Sequence, residues 1–133
     1  MPDLEKNGAG AAAPLILELL PEPVLVVQGG DGDAPEITYG NRAAREVFRI
    51  ELAGAPLGAA LRRPEVLETI EAALESGGSA EVAFETIGVQ PRFWRAFARP
   101  LATGEAGPNQ LVVMLRDETD ARRTERMRAD FLA

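Results

Sequence analysis

AEVAFETIGVQPRFWRAFARP, residues 80–100, decides the architecture, because two strands can be paired on paper within it. Apolar and polar residues alternate on both sides of a central Gly and Pro, the period of half-buried strands. An antiparallel register that sets Glu85 opposite Arg95 also sets Glu81 opposite Arg99, giving two opposite-charge pairs on one face. The same register places Val82, Phe84 and Thr86 across from Ala98, Ala96 and Trp94 on the other face. One apolar and one amphipathic face is the pattern of an antiparallel sheet with helices on one side. Each charge pair contributes under about 1 kcal/mol, so the pairs report register more than stability.

Outward from this hairpin the chain punctuates itself. QLVVMLRD (110–117) supplies a third strand downstream. Upstream, PVLVVQ (23–28) and EITYG (36–40) are short strands separated by the turn-rich GGDGDAP, which makes a hairpin with a long loop. Asn41 reads as the N-cap of the helix RAAREVFRI, whose Ala44, Val47 and Phe48 share a face. GAPLGAALRR is a loose connection with one helical turn. Pro64 opens the best-marked helix, PEVLETIEAALESGG, with Val66, Leu67, Ile70, Ala73 and Leu74 as its apolar stripe and Gly77 as its stop. Near the start, PLILELL places Leu15, Ile16, Leu19 and Leu20 at helical spacing before Pro21 and Pro23. The order is helix, two strands, two or three helices, three strands and a terminal helix: an α+β domain built on a five-stranded antiparallel sheet.

Composition narrows the chemistry. A chain of 133 residues with 46% apolar content is one domain with enough material for a core. Fourteen basic against twenty-one acidic residues leave a net charge of −7, which argues against nucleic acid as a partner. Cysteine and histidine are both absent, which removes thiol nucleophiles, cysteine or histidine metal sites, the commonest general base and any phosphohistidine. No apolar run reaches the ~18 residues of a membrane span, and no signal peptide opens the chain. The aspartates of GGDGD do not form a calcium loop, since the twelfth position from Asp31 is Arg42. The glycines there are not a phosphate loop, because no Gly-Lys-Ser/Thr follows. Tyr39 is the sole tyrosine, and no acid–base pair is expected to converge, so an autonomous enzyme is not expected.

YGNRAAREVF (39–48) resembles the Asn-x-Ala-Ala stretch that opens the helical side of many PAS domains, and the element order is that of the same family. LRDETDARR resembles the Asp-x-Thr ending of the last PAS strand, carried here by Asp117 and Thr119. ERMRADFLA, through Asp130, Phe131, Leu132 and Ala133, is similar to the lead-in to the dimerisation helix of sensor histidine kinases, most of all membrane sensors of the phosphate-regulon type. In those proteins a Ser-His-Glu-Leu-Arg box with the phosphorylated histidine follows within a few residues. The resemblance covers about residues 15–133. It implies a PAS fold with flanking N-terminal and C-terminal signalling helices, a sensory domain at 14–117 and the start of a longer signalling helix at 118–133, while MPDLEKNGAGAAA, residues 1–13, has no hydrophobic period and reads as a flexible leader. It also implies a homodimer, kinase domains further along a parent inner-membrane chain, and a response regulator as partner. The domain itself is expected to be cytoplasmic and non-catalytic, without ATP hydrolysis or a phosphate-accepting histidine.

The terminal helix has a short seam, with Thr124, Met127 and Phe131 at a-d-a spacing and Asp117 and Asp120 continuing it upstream. Glu118 to Arg122 and Arg126 to Asp130 are expected i,i+4 pairs, and Asp117 with Asp120 resembles a capping arrangement. A dimer seam is expected from Leu15, Ile16, Leu19, Leu20, Phe93, Phe97, Thr124, Met127 and Phe131. Asp117 and Thr119 are the expected signal relay, against the plain reading of a helix cap. Of the ligands the family offers, histidine-ligated haem and a cysteine–flavin photoadduct are removed by composition. No cofactor or metal is expected, and the protein should be colourless. Space for a small molecule is expected between Phe48, Leu57, Leu61, Val66 and Ile70 on the helices and Phe84, Trp94, Ala96 and Ala98 on the sheet. Trp94 on the inner face is more often core than ligand platform. Two rival readings stay open: a PAS module with a cyclase or transcription-regulator output, and a small α+β cone that binds a ligand or works as an enzyme.

Overall fold

The computed structural model describes residues 12–29, 34–86, 90–101 and 109–132. Most of the expected leader, the centre of the GGDGD turn and Ala133 lie outside the described residues. Five strands form one antiparallel sheet in the order β2-β1-β5-β4-β3. They are β1 (Val24–Gln28), β2 (Glu36–Gly40), β3 (Ala80–Glu85), β4 (Phe93–Pro100) and β5 (Gln110–Asp117). Helices α2 (Arg42–Phe48), α3 (Leu57–Ala60) and α4 (Pro64–Ser76) fall between β2 and β3. Helices α1 (Ala12–Leu19) and α5 (Thr119–Leu132) flank the sheet in sequence. The expected α+β layout is the observed one. Helix α1 begins at Ala12, inside the stretch expected to be a leader, with Pro14 in its first turn, where a missing N–H is tolerated.

The local signals explain the ends of the elements. Asn41 caps α2 by accepting from the Ala44 N–H. Pro64 opens α4, and Gly77 closes it at φ 70° with its N–H on the Ala73 carbonyl. Arg49 takes the same left-handed conformation after α2, at φ 55°, without glycine's freedom. The core lies between one face of the sheet and α2–α4. Leu25, Val27, Ile37, Leu111, Val113 and Leu115 meet Leu57, Val66, Ile70, Ala73 and Leu74 in a single buried cluster. A Cβ at Gly40 would stand 2.3 Å from Leu52 Cδ1, itself in that cluster, so any larger residue there would force Leu52 to shift.

The β3–β4 register differs by two residues from the one expected. Phe84 faces Trp94, Val82 faces Ala96 and Ala80 faces Ala98, while Glu85 and Glu81 face Phe93 and Phe97. A shift of two preserves which side chains share a face, so the alternation was right and the partners were wrong. The reason is energetic. Two exposed charge pairs are weaker than an inner-face aromatic pair joined to a turn in which Thr86 N–H bonds the Arg92 carbonyl at 2.9 Å. Arg95 instead reaches Glu81 diagonally at 3.2 Å and Glu118 at 3.1 Å. Arg99 donates to the Ala98 carbonyl.

Asn41 does more than cap. Its Oδ1 also accepts the Val24 N–H at 2.9 Å, and its Nδ2 donates to the carbonyls of Leu17 at 2.8 Å and Glu22 at 3.0 Å. One fully buried amide therefore joins α1, the start of β1 and the start of α2. Replacing it leaves buried backbone groups without partners, so Asn41→Ala should lower unfolding free energy by about 3 kcal/mol in urea titrations. Asn41→Asp keeps the acceptor but not the donor, and should retain the α2 cap while releasing α1. Protection of the Ala44 amide without protection in α1, by hydrogen exchange, is the expected signature.

Candidate functional site

A cleft of about 540 Å³ opens at one end of the core, between the α2 and α3 ends and the sheet. Of the nine residues expected to enclose a ligand, Phe48, Leu61, Phe84 and Trp94 line it. Leu57, Val66, Ile70, Ala96 and Ala98 are instead packed into the core cluster. The room left by Ala96 and Ala98 is thus filled by the domain's own side chains, and the open space moves toward the end of β3. Val47, Ala60, Pro64, Thr86, Leu115 and the pair Arg62–Arg63 complete the lining. Val47 is largely exposed rather than turned into the core with Ala44. The arginine pair was the missed signal: two adjacent cations before a helix-opening proline stand out in an acidic chain.

The second feature is the junction where β5 becomes α5. Thr119 is buried, and its Oγ1 accepts the Phe93 N–H at 3.0 Å. The Glu118 N–H donates to the Phe93 carbonyl at 2.7 Å, so the two backbone groups of Phe93 hold the residue before α5 and the first residue of α5. Asp117 Oδ1 accepts both the N–H and the hydroxyl of Thr119, and Oδ2 accepts from Arg92. Burial pushes the Asp117 carboxyl up, but the bonds from Thr119 and Arg92 together hold it below the ordinary value. The expected Asp117–Asp120 cap is replaced by this Asp117–Thr119 turn.

The expected i,i+4 pairs of α5 are not formed either. Glu118 is taken by Arg95, while Arg122 and Arg126 lie 5.1 and 4.9 Å above the Phe93 ring. Stacking a guanidinium on an aromatic face is worth ~0.5–1 kcal/mol at an exposed site and competes well with a solvated ion pair. Phe93 is consequently buried under its own α5 rather than open on the sheet, and Phe97 is half-buried under Arg116. Beyond this contact α5 stands free, with Thr124, Met127, Phe131 and Leu132 exposed. Leu15, Ile16 and Leu19 of α1 are exposed as well, and Leu20 is half-buried.

An acid–base pair does converge, against expectation, but as a clamp. Tyr39 Oη donates to Glu18 Oε1 at 2.9 Å, and Arg45 donates to both Glu18 oxygens and to the Gly40 carbonyl. The Arg45 bonds, then the Tyr39 bond, lower Glu18 from an ordinary 4.5 to about 2. Burial and donation to Glu18 push Tyr39 up to about 12, so the phenol keeps its proton. This trio fastens α1 to β2 and α2 beside the Asn41 amide. Among the described residues no cluster of three or more acidic side chains can hold a metal ion. No described helix is long and apolar enough to cross a membrane.

The sequence matches the PAS domain family over residues 15–85, more than half of the chain. A search of curated proteins finds no match. Among solved structures, an RNA-binding light-oxygen-voltage receptor is similar at TM-score 0.71 and 12% identity, over 92% of this chain and 36% of that one. The chain thus spans about a third of that receptor's length. The PAS domain of Bordetella pertussis BvgS is similar at TM-score 0.64 and 12% identity, over 94% of this chain and 97% of that one. The LOV domain of a blue-light activated histidine kinase from Erythrobacter litoralis is similar at TM-score 0.56 and 15% identity, over 75% and 98% of the two chains. At such identities these likenesses show the fold alone.

The clamp gives a pH prediction with a fixed sign. Because Glu18 is harder to protonate folded than unfolded, its contribution is complete above pH 4.5 and is lost as pH falls toward about 2. Amide shifts of α1 followed by NMR should titrate in that window in the wild type. In Glu18→Gln, α1 should already be loosened at pH 7 and show no such step. The same acid midpoint in both proteins would remove Glu18 from the docking of α1.

Proposed function

The chain belongs to the PAS domain family, and on that premise we propose that it is the sensory module of a two-component sensor histidine kinase, passing its state through α5 to autophosphorylation. A PAS domain is a sensory module and not itself catalytic. The observation that carries the proposal is the junction. The two backbone groups of Phe93 are bonded to Glu118, just before α5, and to Thr119, its first residue, while the far part of that helix stands away from the domain with its apolar side chains in solvent. A helix held so firmly at its root and so little along its length is suited to carry a rotation or shift onward. The similarity of ERMRADFLA to the lead-in of kinase dimerisation helices supplies the output. The parent chain in this reading is an inner-membrane sensor that hands phosphate to a response regulator, with this domain on the cytoplasmic side.

In the parent kinase, Asp117→Ala and Thr119→Ala should each change the autophosphorylation rate by about fivefold or more, the range of ordinary coupling energies. A time course of phosphate incorporation measures it, with folding and oligomeric state checked for each variant. Unchanged rates and stimulus response in both variants would reduce the junction to a helix cap.

We also propose a parallel homodimer, supported by the exposure of Leu15, Ile16 and Leu19 on α1 and of Met127 and Phe131 on α5. Leu20 and Phe97 are half-buried and Thr124 is exposed, whereas Phe93 is covered by its own helix. Sedimentation should show a weak dimer at high micromolar concentration that Leu15→Glu with Leu19→Glu converts to monomer. A wild-type chain that stays monomeric there would contradict the dimer.

A further inference from the structure

The cleft carries a charge pattern that its place in the fold does not require. Its walls are apolar, chiefly Phe48, Leu61, Phe84, Trp94 and Leu115, and no carboxylate lines it. Its charged groups are Arg62 and Arg63, in a chain of net charge −7. Arg63 is half-buried and reaches across to the Glu85 carbonyl on the sheet edge, between this cleft and a neighbouring recess lined by Glu65, Glu85 and Glu118. Arg62 is exposed and has no ion-pair partner among the described residues. The remaining polar group, the Thr86 hydroxyl, is engaged with the backbone of Arg92.

A lining of this kind discriminates. A neutral apolar molecule gains from the walls and nothing from the rim. A cation is repelled by both arginines. A polyanion such as a nucleotide satisfies the rim but must desolvate its polar groups against aromatic walls. A ligand apolar along its length and singly anionic at one end uses both halves, and a guanidinium receives a carboxylate in two parallel hydrogen bonds. The volume is within the range of small-molecule sites.

We propose that the cleft binds an amphipathic carboxylate, a medium-length acyl chain lying against Phe48, Phe84 and Trp94 with its carboxylate at Arg62 and Arg63. This deepens the sensory reading above, on which it rests, by naming the class of signal. It also connects the cleft to the relay. Trp94 directly follows Phe93, which holds the root of α5, and Leu115 is two residues before Asp117. An occupant that presses on these two walls acts on the strands that end at the junction.

Trp94 is the sole tryptophan, so its emission reports occupancy without a label. The probes are dodecanoate, dodecanol and dodecyltrimethylammonium, each below its micelle concentration. Wild type is compared with Arg62→Glu, Arg62→Lys and the cleft-filling Ala60→Phe, with folding checked by circular dichroism. Dodecanoate should give a saturable change at concentrations about tenfold below dodecanol, the worth of one charge-assisted contact, and the cationic amphiphile should give none. Arg62→Glu should weaken dodecanoate by about tenfold and leave dodecanol unchanged, Arg62→Lys should retain most of the affinity, and Ala60→Phe should weaken both probes. Equal binding of dodecanoate and dodecanol with an inert Arg62→Glu would overturn the charge selection. Absence of saturable binding by dodecanoate to the folded wild type, or full binding to Ala60→Phe, would overturn the site. Neither result touches the autophosphorylation of the Asp117 and Thr119 variants, so the two readings fail separately.

Discussion

Asn41 and Thr119 are the two buried polar side chains among the described residues, and each holds a helix that flanks the sheet. A buried amide or hydroxyl left without partners costs about 1–3 kcal/mol, so the fold must bring partners to both. For Asn41 those partners are the carbonyls of Leu17 and Glu22 and the amides of Val24 and Ala44, which fixes how the chain enters the domain. For Thr119 they are the Phe93 amide and the Asp117 carboxylate, which fixes how it leaves. Satisfying the two groups sets the geometry of entry and exit in one act. The apolar core between the sheet and α2–α4 gives the domain its stability. These two side chains give it direction.

The rest of the molecule reads as a consequence. β4 lies between β5 and β3, with Trp94 on the face toward the helices and Phe93 on the other. The same strand thus forms a wall of the cleft and the seat of α5. On the far side of the sheet Arg122 and Arg126 close over the Phe93 ring, and Arg95 ties Glu118 to Glu81. These contacts are partly solvated and individually weak. α1 is held differently, by an ionised Glu18 between Arg45 and Tyr39 as well as by the buried amide.

Local patterns were legible in the sequence, and non-local ones were not. Strand alternation, the Asn41 cap, Pro64 and Gly77 each act within a few residues, and the elements they mark are present. The β3–β4 register was misread because parity is written in the sequence whereas partner choice depends on how Phe84 and Trp94 pack. The same limit displaced the cleft: that Ala96 and Ala98 are covered by core side chains while space opens near Phe84 is a property of helix placement. Glu18 and Arg45 are 27 residues apart, and no local period links them. Arg62–Arg63 was visible, and its meaning came only from the apolar walls around it.

Through its bonds to the Phe93 amide and the Asp117 carboxylate, Thr119 is the side chain placed to set the exit angle of α5. The chain has no cysteine, so paired spin labels can be placed cleanly at Glu71→Cys on α4 and Met127→Cys on α5, both exposed positions. Electron–electron dipolar spectroscopy, with labelled chains diluted in unlabelled ones, then measures the distance between the two helices. One narrow distribution is expected in the otherwise wild-type protein and a shifted or broadened one in Thr119→Val, with the sheet intact by circular dichroism. Identical distributions in the two proteins would contradict that role of Thr119.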